Sequence, residues 1–116
     1  MRTVLVADDS SVARHALVRR LAAHDINVHE EASARSASAL DPTSLACAVL
    51  DLDLGDGDGA TVAESLRKHV ASLPVAFFSS DADGALVTRA RALGPVFKKP
   101  DELEALVAWV DAQPER

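Results

Sequence analysis

Aromatic side chains are scarce in this chain: three Phe, one Trp and no Tyr among 116 residues. A surface that recognises bases, nucleotides or sugars by stacking has little to be built from. Cysteine occurs once, at Cys47, so no internal disulfide can form. Inside an apolar run that thiol reads as a small buried hydrophobe, and its solitude fits a reducing, cytoplasmic compartment. No apolar stretch approaches the ~20 residues of a membrane span. The N-terminal run Val4-Leu5-Val6-Ala7 is too short for a secretory signal and is cut off by acid at Asp8. Basic residues are outnumbered 12 to 18, for a net charge of -6. Arg14, Arg19, Arg20, Arg67 and Lys68 are dispersed at helical spacing, which reads as solvated helix faces and not a basic patch. Neither nucleic acid nor a membrane is an expected partner.

Apolar residues are plentiful, at 48% of the chain, so a proper core can be buried without staples and residues 1–116 are expected to form one domain. The pattern alternates strand and helix five times. Thr3–Ala7 is a continuous apolar run, hence a buried strand. Ser10 or Ser11 caps a helix to about His24, with Ala13, Leu17 and Leu21 on one face. Ile26–Val28 is a weakly apolar edge strand, and Ser33–Leu40 a short Ala-rich helix that stops before Pro42. Leu45–Asp51 is a third strand. Val62, Leu66 and Val70 mark the core face of the next helix. Pro74–Phe78 is a fourth strand, and Asp81 or Asp83 caps a helix to about Leu93, which Gly94 stops. Pro95–Lys98 is a fifth strand. Asp101 and Glu104 form a capping box for a last helix carrying Leu103, Leu106, Val107 and Val110. This order predicts a doubly wound parallel α/β sheet with right-handed crossovers.

In such a sheet, chemistry sits at the carboxyl ends of the strands. Those ends carry Asp8-Asp9, Asp51, Ser79-Ser80 and Lys99. Three carboxylates against one ammonium leave excess negative charge, which a divalent cation would neutralise. The set suits phosphoryl transfer to a carboxylate, with a cation and Lys neutralising charge and a hydroxyl donating a hydrogen bond. The loop after Asp51 is rich in Asp and Gly, but counting from Asp51 puts Gly55 fifth and Val62 twelfth, which breaks calcium-loop spacing. Asp51-Leu52-Asp53 matches the nucleophile motif of haloacid-dehalogenase-type phosphatases, though there the motif follows the first strand of a longer chain. His15, His24, His29 and His69 have no ligand spacing, and Trp109 falls just off the last helix's core stripe, as a flank residue or an interface anchor.

From Val4 to about Val110 the chain resembles a receiver domain, the phospho-accepting module of bacterial two-component response regulators. The resemblance rests on Val-Leu-Val-Ala-Asp-Asp, on Asp51 followed by Gly59, on Pro-Val-Ala-Phe-Phe-Ser-Ser and on Lys99-Pro100, each at a strand end. It implies a flavodoxin-like sheet of order 2-1-3-4-5 with five helices. It implies Asp51 as phosphoacceptor, Asp9 as direct Mg2+ ligand, Asp8 reaching the metal through water, and the carbonyl of Asp53 as a further ligand. Ser79 matches the switch hydroxyl and Lys99 the partner of the acceptor. The implied donor is a phosphohistidine on a sensor histidine kinase or phosphotransfer protein, and the output an unknown downstream protein; a receiver-fold interaction module that works without phosphorylation is the alternative. Three departures stand out. Gly55 replaces a usual Pro, implying a more mobile loop. Val96 replaces a usual aromatic that couples to the switch hydroxyl. Asp101 follows Lys99-Pro100 where an apolar residue is common. Asp53 and Asp81 place acid beside the path of an attacking water in this family.

Overall fold

A computed structural model describes residues 1–81 and 83–115. Its elements are β1 (Thr3–Ala7), α1 (Ser11–Ala22), β2 (Asn27–Glu31), α2 (Ala34–Ser38), β3 (Leu45–Leu50), α3 (Gly59–Arg67), β4 (Val75–Ser79), α4 (Ala85–Arg91), β5 (Val96–Lys98) and α5 (Leu103–Asp111). The five strands form one sheet in the order β2-β1-β3-β4-β5. Every neighbouring pair is parallel. This is the flavodoxin-like arrangement expected from the alternation of strand and helix.

The period-two geometry of a strand explains why the central strands are apolar throughout. Leu5, Ala48, Leu50, Val75 and Phe77 point to one side, where they pack with Ala37 of α2, Val62 and Leu66 of α3 and Val87 of α4. Val4, Val6, Cys47, Val49 and Phe78 point to the other, against Leu17 and Leu21 of α1 and Leu106 and Val110 of α5. Each fully buried Val, Leu or Phe contributes about 1.5–3 kcal/mol. Cys47 is wholly buried, and burial pushes its thiol up to about 12 against the opposing charge of Arg2, so it is inert packing. Trp109 is half-buried against the α1–α5 side of the core.

Three local expectations are corrected. β2 runs to Glu31, so His29, Glu30 and Glu31 lie within the strand and not beyond it. Edge pairing to β1 satisfies the backbone there, and a half-solvated edge needs no apolar run. Neither Asp81 nor Asp83 caps α4; Gly84 occupies that position at φ +105 without a side-chain bond. The box between Asp101 and Glu104 does not form either. Glu104 pairs with Arg20 across the α1–α5 contact. Glu102 turns back instead, accepting from the Lys98 N–H at 2.8 Å. A guanidinium fork is a stronger partner for a carboxylate than one amide, which accounts for the preference of Glu104. Gly94 ends the α4 turn because of space: a Cβ there would lie 2.0 Å from the Val75 carbonyl oxygen.

Candidate functional site

The sheet ladder runs one residue beyond the strands at their carboxyl ends, and this brings the predicted residues together. The Asp51 N–H donates to the Ala7 carbonyl at 2.9 Å, and the Lys99 N–H to the Ser79 carbonyl at 2.8 Å. The Asp8 N–H donates to the Glu31 carbonyl at 3.1 Å. The ends of β1, β3, β4 and β5 thus stand side by side where the winding direction reverses between β1 and β3, the place where open α/β sheets bind ligands. An open cavity of about 390 Å³ lies there, lined among others by Asp9, Asp51, Asp53, Ser79, Asp81 and Lys99.

Lys99 is the pivot. Its Nζ donates to Asp8 Oδ2 at 2.7 Å and to Asp51 Oδ2 at 3.0 Å. Its ammonium also stands 5.6 Å from the centre of the Phe78 ring. Burial pulls the lysine pKa down, but the hydrogen bonds and charges of Asp8 and Asp51 outweigh it and hold the pKa above its ordinary value. Asp51 is only 9% exposed. Desolvation pushes its carboxyl up to about 6, with Lys99 pulling down and the Asp8 charge adding to the rise. A raised carboxyl pKa means that ionisation of Asp51 opposes folding above that pKa and costs nothing well below the unfolded value. Asp51→Asn is therefore expected to stabilise the metal-free domain at about pH 7 by about 1–2 kcal/mol once the open cavity is allowed for, and so to raise its unfolding midpoint. The gain should fade toward about pH 4. Thermal melts at both pH values check this; equal midpoints at neutral pH would contradict it.

The loop from Asp51 to Gly59 shares out its acids. Asp53 accepts from the Gly55 N–H at 3.0 Å and closes a turn in which Gly55 has φ +80. The Asp56 carboxylate accepts from Ala34 N–H at 2.7 Å and Arg35 N–H at 3.0 Å, so it holds the start of α2. Asp58 is the N-cap of α3, accepting from the Thr61 N–H at 2.7 Å. Asp53 and Asp58 face one another in an antiparallel bridge whose two bonds use the carbonyls of Leu52 and Gly57. Leu52 and Leu54 are buried. A loop expected to be loose is therefore bonded along its length. Asp58 carried a readable signal, an acid immediately before a helical stripe; Asp56 carried none, because its partner is a helix more than twenty residues away in sequence.

Each expected site residue can now be placed. Carboxylate oxygens of Asp8, Asp9 and Asp51 come within 4.8 Å of one another, and an all-oxygen set of this kind fits a hard divalent cation. The Asp53 carboxylate is not in that cluster; Asp53 lines the cavity, and the bridge to Asp58 does not use its carbonyl, which stays available to a cation. Ser79 Oγ accepts from the Asp81 N–H at 3.1 Å, which leaves its own hydrogen free to donate. Asp8 has little freedom: Oδ1 accepts from the Ser10 N–H at 2.9 Å and Oδ2 from Lys99. Arg14, expected on a solvated face, is only 15% exposed and reaches into this group. Val96 is half-buried and packs against the core on the α2–α4 side of the sheet.

No protein of curated function matches the chain in sequence. Among solved structures it is similar to the non-phosphorylated HemR receiver domain from Leptospira biflexa, at 24% identity and TM-score 0.85, covering 100% of this chain and 98% of that one. It is similar to the BeF3-activated DrrB receiver domain at 20% identity and TM-score 0.83, covering 95% and 94%. A response regulator protein from Burkholderia pseudomallei, solved with a phosphorylated aspartic acid, a calcium ion and citrate, matches at 22% identity and TM-score 0.76, covering 93% of this chain and 65% of that one. The response regulator receiver domain family matches residues 4–111. With that match spanning nearly its whole length, the chain belongs to the response regulator receiver domain family.

Proposed function

We propose that this domain accepts a phosphoryl group on Asp51 and signals by presenting the modified site to a partner or by passing the group on. The observation that carries the reading is the contrast between the two buried acids that share Lys99. Both Asp8 oxygens are taken, and the residue does not line the cavity. Asp51 lines it, and among the described residues its Oδ1 receives only a long 3.4 Å contact from the Asp53 N–H. Asp51 thus has a lone pair aimed at solvent from a fixed position, which is what a nucleophile needs. With a carboxyl pKa near 6 it is mostly ionised at neutral pH.

In the transfer, an Asp51 oxygen forms a bond to phosphorus as the bond from phosphorus to the donor's imidazole nitrogen breaks, and the imidazole leaves with that electron pair. Lys99 lies within reach of a phosphoryl group on Asp51 and offsets its charge, and the Ser79 hydroxyl donates to one of its oxygens. Asp9 and Asp51, with the Asp53 carbonyl, would hold Mg2+ directly and Asp8 would reach it through water; the ion when bound supplies positive charge to the transferring oxygens. The donor class is a phosphohistidine on a sensor histidine kinase or phosphotransfer protein in the cytoplasm. The solved relatives that carry phosphorylated aspartic acid or BeF3 support this reading.

Incubation with acetyl phosphate and Mg2+, followed by intact mass measurement, tests it. One phosphoryl adduct is expected in the parent and none in Asp51→Asn. No adduct with any donor would favour a phosphorylation-independent interaction module, and steady turnover of a phosphomonoester would favour a phosphatase. The same sample gives the reach of the switch. Val96 has no ring to rotate, so amide shift changes are expected to centre on Asp51, Ser79 and Lys99 and not to spread along β5 and α5.

A further inference from the structure

Asp9 is exposed, and among the described residues its carboxylate has no hydrogen-bond partner. Its aim must therefore come from the backbone. The peptide that joins Asp8 to Asp9 is planar, so fixing its carbonyl oxygen fixes the plane from which Asp9 departs. That oxygen accepts from Arg14 Nη1 at 2.6 Å. Arg14 Nε in turn donates to Glu30 Oε1 at 3.0 Å, which locks the guanidinium between the end of β1 and the edge strand β2. The geometry points to Arg14, held by Glu30, as the positioning residue of the cation site: it sets the Asp8–Asp9 peptide so that Asp9 presents its carboxylate together with Asp8 and Asp51.

Two simpler roles make different predictions. As a mere positive charge beside acids, Arg14 would weaken cation binding, and Arg14→Gln would tighten it while Arg14→Lys changed nothing. As a mere packing residue, it would affect stability and leave the affinity of the folded domain unchanged. Positioning needs the planar fork, because one arm holds the carbonyl while the other is held by Glu30; the lysine ammonium is a point donor on a flexible stem and cannot do both in the same way. Both Arg14→Lys and Arg14→Gln are then expected to weaken Mg2+ binding about tenfold, the size typical of residues that orient metal ligands. Glu30→Gln, a change at a carboxylate 38% exposed, should give a smaller loss in the same direction and provides a variant expected to fold normally.

The inference rests on reading the acidic cleft as a Mg2+ site. The experiment is calorimetric titration of the unphosphorylated parent and the three variants with MgCl2, well below their unfolding midpoints, with amide spectra of the metal-free forms. Weaker binding in Arg14→Lys and Glu30→Gln, with shifts at Asp9 and Ser10, is the expected result. Parent affinity in Arg14→Lys, or tighter binding in Arg14→Gln, would overturn the role of Arg14 alone. A parent that takes up no Mg2+ would overturn the site reading and this inference together.

Discussion

Lys99→Met is expected to lower the stability of the metal-free domain at neutral pH by about 3 kcal/mol, the lower part of the range for removing one partner of a buried ion pair. In a domain of this size that is about 10 °C in unfolding midpoint. The side chains involved are 16% exposed for Lys99, 6% for Asp8 and 11% for Asp51, so solvent screens them poorly. Removing the ammonium leaves two carboxylates facing each other. The sign of the pH dependence follows from the pKa directions. Lys99 sits above its ordinary value, so in the parent its contribution is present through neutral pH and is lost only as the pH climbs past that raised value. In the variant, Asp51 has lost the main influence that restrains its rise, so its pKa moves higher than about 6. The penalty is then full above that point and relaxes as acidification protonates the carboxyl. Millimolar Mg2+ should recover part of the loss by binding only the folded state. Melts with chelator, with Mg2+ and across a pH series measure all three. A variant as stable as the parent in chelator at neutral pH would show that the cleft solvates its acids without help.

Gly59→Ala is expected to cost about 3 kcal/mol, at the upper end for forcing volume into a packed site. A Cβ on Gly59 would lie 2.2 Å from the carbonyl oxygen of Asp51 and 3.3 Å from the Leu50 Cβ. The nearest atom is backbone and cannot swing away, so either α3 or the end of β3 must move. Moving the end of β3 displaces Asp51 from Lys99, so the rate of labelling by acetyl phosphate should fall along with stability. The control is Gly55→Ala, where a Cβ would meet only Asp9 Oδ2 at an ordinary 3.5 Å. Its cost comes from φ +80 alone, about 1 kcal/mol. If the two substitutions destabilised equally, the close approach at Gly59 would not be what selects glycine there.

Most of the fold was legible because it rests on long-range patterns with few solutions. Thr3–Ala7 and Leu45–Leu50 are apolar on both faces, which only a strand covered on both sides tolerates, and both end on acid. What failed was decided by partners distant in sequence. β2 extends through His29, Glu30 and Glu31 because β1 supplies its hydrogen bonds, a fact no local apolar count contains. Glu104 looked like part of a cap until α1 offered Arg20. Arg14 looked like surface because its helix carries other arginines, yet it falls one turn after the cap and so faces the strand end. The converging residues Asp8, Asp9, Asp51, Ser79 and Lys99 were all readable, since strand ends in a parallel sheet meet by topology. Their division of labour was not, because it depends on which oxygen Lys99 and Ser10 occupy.

The bonded loop also acts as a measured length of chain. Its first residue meets its last through the contact of Gly59 with the Asp51 carbonyl, while Asp56 and Asp58 anchor two different helices in between. One inserted or deleted residue would put an acid out of step with at least one of those anchors. The segment from Asp51 to Gly59 can therefore vary in its outward side chains but not in its number of residues, which makes it a unit to be transplanted whole when such sites are moved between scaffolds.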